Sequence, residues 1–118
     1  MRTQAAAGCV LLLIGAVLSS CGADQPARTP QTYTIVMEGV AFQPASLTVE
    51  VGDSVVWMNK DPFPHTATSK GAFDSKEISA EKSWQFTPAA AGEFPYVCTY
   101  HPTMKGVLRV TAAGAVRP

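Results

Sequence analysis

Histidine and cysteine are scarce in this chain, with two of the first and three of the second among 118 residues. Centres that need many imidazoles are therefore excluded. Charge of one sign is missing too. Nine basic side chains balance nine acidic ones, so there is no basic stripe to follow a phosphate backbone, and nucleic acid is not an expected partner. No apolar run is long enough to span a bilayer. The longest, from about Cys9 to Leu18, falls short of the roughly 20 residues a spanning helix needs. Helical signals are nearly absent. Residues 75–82 offer a turn or two, and Ala89-Ala90-Ala91 is shut between Pro88 and Gly92. No internal repeat is visible.

What is there begins with an export prefix. Arg2 supplies the positive start, and the short apolar stretch reads as the core of a signal peptide. It ends in Leu18-Ser19-Ser20-Cys21, which resembles the bacterial lipobox, where small residues precede a cysteine that takes lipid and becomes the new N-terminus. The alternative is an ordinary signal peptide cut nearby. Residues 1–20 are thus assigned to the signal and 21–31 to a flexible tether, polar and marked by Pro26 and Pro30. The expected location is outside the cytoplasm. The chain would be a membrane-anchored lipoprotein, on the periplasmic side or on the outer surface of a single-membrane host. Cys9 leaves with the signal and Cys21 carries lipid. Cys98 then has no partner for a disulfide, and a lone thiol in an exported chain needs a reason.

About 98 residues remain, enough for one domain with a modest core. From Thr32 the chain breaks into short apolar–polar alternations separated by Gly, Pro and Asp. Strands are predicted over 33–37, 47–51, 54–58, 66–68, 82–86, 93–98 and 106–110, with residues 113–118 a frayed end. About seven short strands with turn residues between them argue for an all-β sandwich or barrel over 32–112. Three apolar pairs, two of them wholly aromatic, share faces: Val55 with Trp57 on one strand is matched by Phe94 with Tyr96 and by Trp84 with Phe86. Rings burying about 150–250 Å² each would supply much of a small core.

The segment Cys98-Thr99-Tyr100-His101-Pro102-Thr103-Met104 gathers a thiolate, an imidazole and a thioether, and His65 is the only other imidazole. One sulfur anion, two nitrogens and a weak axial sulfur are the donors of a blue-copper site. Taken singly, each residue has an ordinary explanation as core or surface. Taken together, His65, Cys98, His101 and Met104 form a metal site. Pro102 would stiffen the loop, and Gly106 would let the chain turn back into the last strand.

These blocks resemble the cupredoxins, in particular their plastocyanin-like and amicyanin-like members. The resemblance runs from about Tyr33 to Val110. It is carried by Phe42-Gln43-Pro44, by residues 47–57, by Asn59-Lys60-Asp61 with Pro64-His65-Thr66, and by Cys98-x-x-His101-x-x-Met104. It implies a single Greek-key β-sandwich or barrel of about seven or eight strands holding one copper ion. His65 Nδ1, Cys98 Sγ and His101 Nδ1 would form a trigonal plane, with Met104 Sδ a long axial ligand. Two departures stand out. Thr66 replaces the Asn that many relatives carry after the first histidine, and its hydroxyl could bridge to the backbone near Thr99. Tyr100 replaces a Pro, so it keeps an N–H that could meet Cys98 Sγ.

The implied function is a non-enzymatic electron carrier, since no open metal position and no acid–base pair is present. His101 would be the electron port. Phe63, Pro102 and Thr103, with Pro62, would form the docking patch for a transient redox partner such as a dehydrogenase or oxidase. Phe63 is either part of that patch or a plug over the ligands. The chain is expected to be a monomer, membrane-associated through Cys21. The alternative function is a copper carrier or buffer with no dedicated redox partner.

Overall fold

The computed structural model describes residue 15 and residues 28–114. The signal segment with Cys9, the lipidation candidate Cys21 and residues 115–118 of the frayed end lie outside the described residues. Nine strands follow in order: β1 Thr32–Met37, β2 Phe42–Gln43, β3 Ser46–Glu50, β4 Ser54–Asn59, β5 Thr68–Ser69, β6 Phe73–Asp74, β7 Ser83–Phe86, β8 Gly92–Cys98 and β9 His101–Thr111. They form two sheets, one ordered β2-β1-β4-β7 and the other β3-β9-β8-β5-β6. The all-β sandwich is as expected. The strand count exceeds seven or eight because β2 and β6 are two residues each, too short to show an alternation.

Period-two burial builds the interior. On β4, Val55, Trp57 and Asn59 point inward, and on β8 Tyr96 and Cys98 do. Trp57 lies at the centre, with ring centroids 5.5 Å from each of Phe73, Trp84 and Tyr96. Trp84, Phe86 and Phe94 pack on this core from its margin. The three apolar pairs therefore do share one interior. Burial pushes the Tyr96 hydroxyl up to about 12, and the indole of Trp57 offsets only part of that shift.

Three expectations are corrected. The last strand does not begin at Gly106. It begins at His101, so Pro102 and Met104 lie within β9. Gly106 is no turn residue, because it stands opposite Tyr96 on β8, where an added Cβ would fall 2.4 Å from the ring's Cζ. The strand expected at 66–68 is Thr68–Ser69, and Thr66 precedes it. Residues 75–82 hold no helix. Ile78 instead bridges antiparallel to His65, and a turn follows at Ala80 and Glu81.

The molecule has two distinct ends. Strands β1 and β4 run parallel, from Thr32 beside Ser54 to Met37 beside Asn59. At the starting end, Arg28 reaches the carboxylates of Glu50 (2.5 Å) and Asp53 (2.6 Å), and Asp53 Oδ1 accepts the Gln31 N–H. Part of the segment assigned to the tether thus lies against the domain. The other end carries the loop after Asn59 and the β8–β9 turn, and there the donor residues meet.

Candidate metal centre

Cys98 ends β8, is fully buried, and stands opposite His101 at the start of β9. Only Thr99 and Tyr100 lie between, a two-residue hairpin turn tighter than the loop expected from sequence. The register slips between Val97 and Cys98, so residues 102–104 fall in an irregular stretch that re-aims the side chains. Cys98 Sγ lies 3.7 Å from His101 Nδ1 and 3.6 Å from His65 Nδ1. The three donor atoms all lie within 4.8 Å of one another.

The other imidazole arrives on the loop between β4 and β5. Asn59, fully buried, organises that loop. Its amide donates to Phe63 O (2.8 Å) and Ile78 O (2.9 Å), and its Oδ1 accepts the Asp61 N–H (2.9 Å). The His65 backbone exchanges both hydrogen bonds with Ile78. Its Nε2 lies 2.7 Å from Asp61 Oδ2. Burial works against ionising Asp61, but the hydrogen bonds from His65, Val40 and Gly39 outweigh it and hold the carboxyl below its ordinary range. An ionised carboxylate only accepts, so His65 donates from Nε2, and Nδ1 is the nitrogen turned toward the sulfur. Sequence reasoning placed Asn59 and Asp61 in the block around the first histidine but assigned neither a role. The inward phase Val55–Trp57–Asn59 was a usable signal, because a polar residue in a core phase must find partners.

Thr66 joins the two halves of the site. Its N–H donates to Cys98 Sγ at 3.3 Å, and its hydroxyl oxygen accepts the Thr99 N–H at 2.9 Å. The two threonine hydroxyls also meet at 3.2 Å. Tyr100, whose amide was the other candidate for the sulfur, sits at the hairpin tip with half its surface exposed. Met104 is buried on β9. His65 is sealed, while His101 keeps a partly exposed ring. Phe63 is 38% exposed and packs on both imidazoles, 5.3 Å from His65 and 5.7 Å from His101. It is therefore both a cover on the ligands and part of the surface. Pro62, Pro102 and Thr103 are exposed.

The donor set fits copper. Two metal–ligand bonds of about 2.0–2.3 Å at a trigonal angle span about 3.7 Å, which is the sulfur–nitrogen spacing present here. A thiolate with two neutral imidazoles is the plane of a blue-copper site. Two packed sheets with one such cluster at one end define a small metal-binding electron-transfer domain. The comparisons agree. Residues 9–110 match the family model described as a cupredoxin-like domain. Amicyanin of Paracoccus denitrificans is 29% identical over 115 residues, covering 85% of this chain and 88% of that protein. Plastocyanin of Nostoc punctiforme is 27% identical over 125 residues, covering 88% and 90%. A solved structure of a methionine-to-alanine mutant of amicyanin, described with Cu(I), superposes with a TM-score of 0.65 at 26% identity, over 68% of this chain and 82% of that one. The chain belongs to the cupredoxin-like domain family. It is a copper-binding electron-transfer protein with a site for one copper ion, and it is not an enzyme.

Proposed function

We propose that His65, Cys98 and His101, with Met104 as the axial donor, hold the copper of a shuttle that passes single electrons between exported redox proteins. The observation that carries this reading is the convergence of both Nδ1 atoms on Cys98 Sγ, one imidazole sealed and the other partly open to solvent. Copper bound there supplies a one-electron couple. The chain's own residues would hold the donor atoms in place whichever state the metal took. Thr66 ties the His65 loop to the Cys98 hairpin through three contacts, and Asn59 and Asp61 brace His65 from behind. His101 is the electron port. Phe63, Pro102 and Thr103 around it form the docking patch for a transient partner, a dehydrogenase or an oxidase, with a contact at the small end of interface sizes.

The test compares two rates on one sample. Rapid electron self-exchange with slow loss of Cu(I) to a competing chelator is the expected result. Slow self-exchange with easy copper transfer would point instead to a carrier or buffer.

The proposed layout is a signal over 1–20, a lipid on Cys21, a tether to residue 31, the domain over 32–112 and a frayed tail. Acyl chains contribute about 0.8 kcal/mol per buried CH₂, so two or more hold a protein on a membrane. Mass spectrometry of the native N-terminus is expected to find an acylated Cys21, and Cys21→Ala to release the protein from membranes. A soluble, unmodified chain that starts elsewhere would defeat the anchor and leave the copper reading intact.

A further inference from the structure

The hairpin turn between β1 and β2 is at odds with its sequence. Met37 pairs with Phe42, and the Glu38 N–H donates to Ala41 O, so Gly39 and Val40 are the two loop residues. Both have positive φ, 65° and 55°. A two-residue loop of this kind favours Gly or Asn at both places. A β-branched valine there is a true outlier, and such strain persists only where the surroundings over-determine it. Both central amides of the turn meet a single carboxylate. The Gly39 N–H donates to Asp61 Oδ1 at 2.8 Å, and the Val40 N–H donates to Asp61 Oδ2 at 3.0 Å. That same Oδ2 accepts Nε2–H of His65 at 2.7 Å. Successive left-handed amides make an anion nest, and this nest grips an anion that also grips an imidazole.

We propose that the Gly39–Val40 turn sets the donor strength of His65 toward copper through Asp61. Asp61 is a positioning residue, and the Val40 amide competes with His65 for one oxygen. The inference rests on His65 being a copper ligand. Outer hydrogen bonds to a ligating histidine fix its tautomer and raise its basicity. Removing the Val40 donor concentrates negative charge on the oxygen that His65 uses. The imidazole becomes a stronger donor and favours the oxidised centre. Removing the carboxylate charge does the reverse.

The experiment uses the copper-loaded protein and two readouts, the reduction potential and the His65 Nε2–H proton resonance in the Cu(I) form. Asp61→Asn should raise the potential by about a tenfold change in the one-electron equilibrium, which is about 59 mV. Replacing the Val40 residue by its α-hydroxy analogue turns the amide into an ester, which removes the N–H and weakens the Gly39 carbonyl as an acceptor but keeps the side chain. That change should lower the potential, by about two- to tenfold in the same equilibrium, less than the full worth of a hydrogen bond to a charged group because only part of it is passed on to the imidazole. The Nε2–H resonance should move in opposite directions in the two variants. An ester protein with unchanged potential and resonance overturns the proposal. The unmodified protein gives a second check, should a variant not fold. Its Val40 amide resonance should shift when copper is loaded, more than that of Gly39 on the other oxygen, and an unmoved Val40 amide overturns the coupling. An Nε2–H resonance indifferent to copper would overturn the ligand assignment itself, and the proposal with it.

Discussion

Cys98→Ser is expected to abolish the intense visible absorption of the copper-loaded protein and to weaken copper binding by more than about 100-fold, the upper end of what losing an outer-shell partner costs. Cys98 Sγ is the hub of the centre. Both Nδ1 atoms and the Thr66 N–H converge on it, and the donor cluster has no other sulfur anion. A serine hydroxyl keeps the size and can still accept from Thr66, so the metal-free domain should fold. Its urea midpoint should correspond to a change within about 1 kcal/mol, as for a substitution that opens no large cavity. Colour lost with folding intact isolates the thiolate as its source. A Cys98→Ser protein that stayed blue would sink the assignment.

Much of the fold was legible because five strands alternate cleanly. β1, β3, β4, β7 and β8 begin and end within a residue or two of expectation, since each runs over four or more residues in which every second side chain is the more buried one, Glu50 at the end of β3 excepted. β9 was cut short at its start because Pro102 reads as a loop residue. The structure tolerates it there for a local reason. β3 pairs with β9 only from Val107 onward, and the β8 register breaks between the pairs Cys98–His101 and Val97–Lys105. A missing N–H at position 102 therefore interrupts no regular ladder. Gly106 was misread for a related cause. Its need for an absent side chain comes from Tyr96 across the strand, and a cross-strand register cannot be seen along one strand.

The candidate site divides in the same way. The donor residues stood out by rarity, because His65, Cys98 and His101 are all the histidines and the only cysteine of the presumed mature domain. The groups that hold them did not. Asp61, which holds His65, is itself held by the amides of Gly39 and Val40, some twenty residues earlier in the chain. Thr66 reaches the Thr99 backbone through its hydroxyl as expected, but it meets the sulfur through a backbone amide that every residue type except proline possesses. Common residue types in uncommon geometry leave little trace in composition or period. Asn59 is the exception, a polar residue at an inward phase of a strand whose partners could have been sought.

Trp57→Ala should cost about 3–5 kcal/mol, the usual range for deleting a large buried aromatic side chain. Trp57 is completely buried and joins Phe73, Trp84 and Tyr96, so it bridges the four-stranded sheet to the five-stranded one. A domain of this size has about 5–15 kcal/mol in total, so the variant would sit near the edge of folding. Two effects separate within the same position. The indole Nε1 and the Tyr96 hydroxyl are both buried and neither makes a hydrogen bond of good geometry, the indole only easing in part the burial of that hydroxyl, so the tryptophan contributes mainly through its rings. Trp57→Phe removes that unpaired donor and keeps most of the ring area, and its loss should be well under half that of alanine. Urea unfolding of the metal-free protein measures both, provided the slope with denaturant stays constant across the set. A phenylalanine variant as unstable as alanine would mean that the indole nitrogen, and not the packed rings, is what the core depends on.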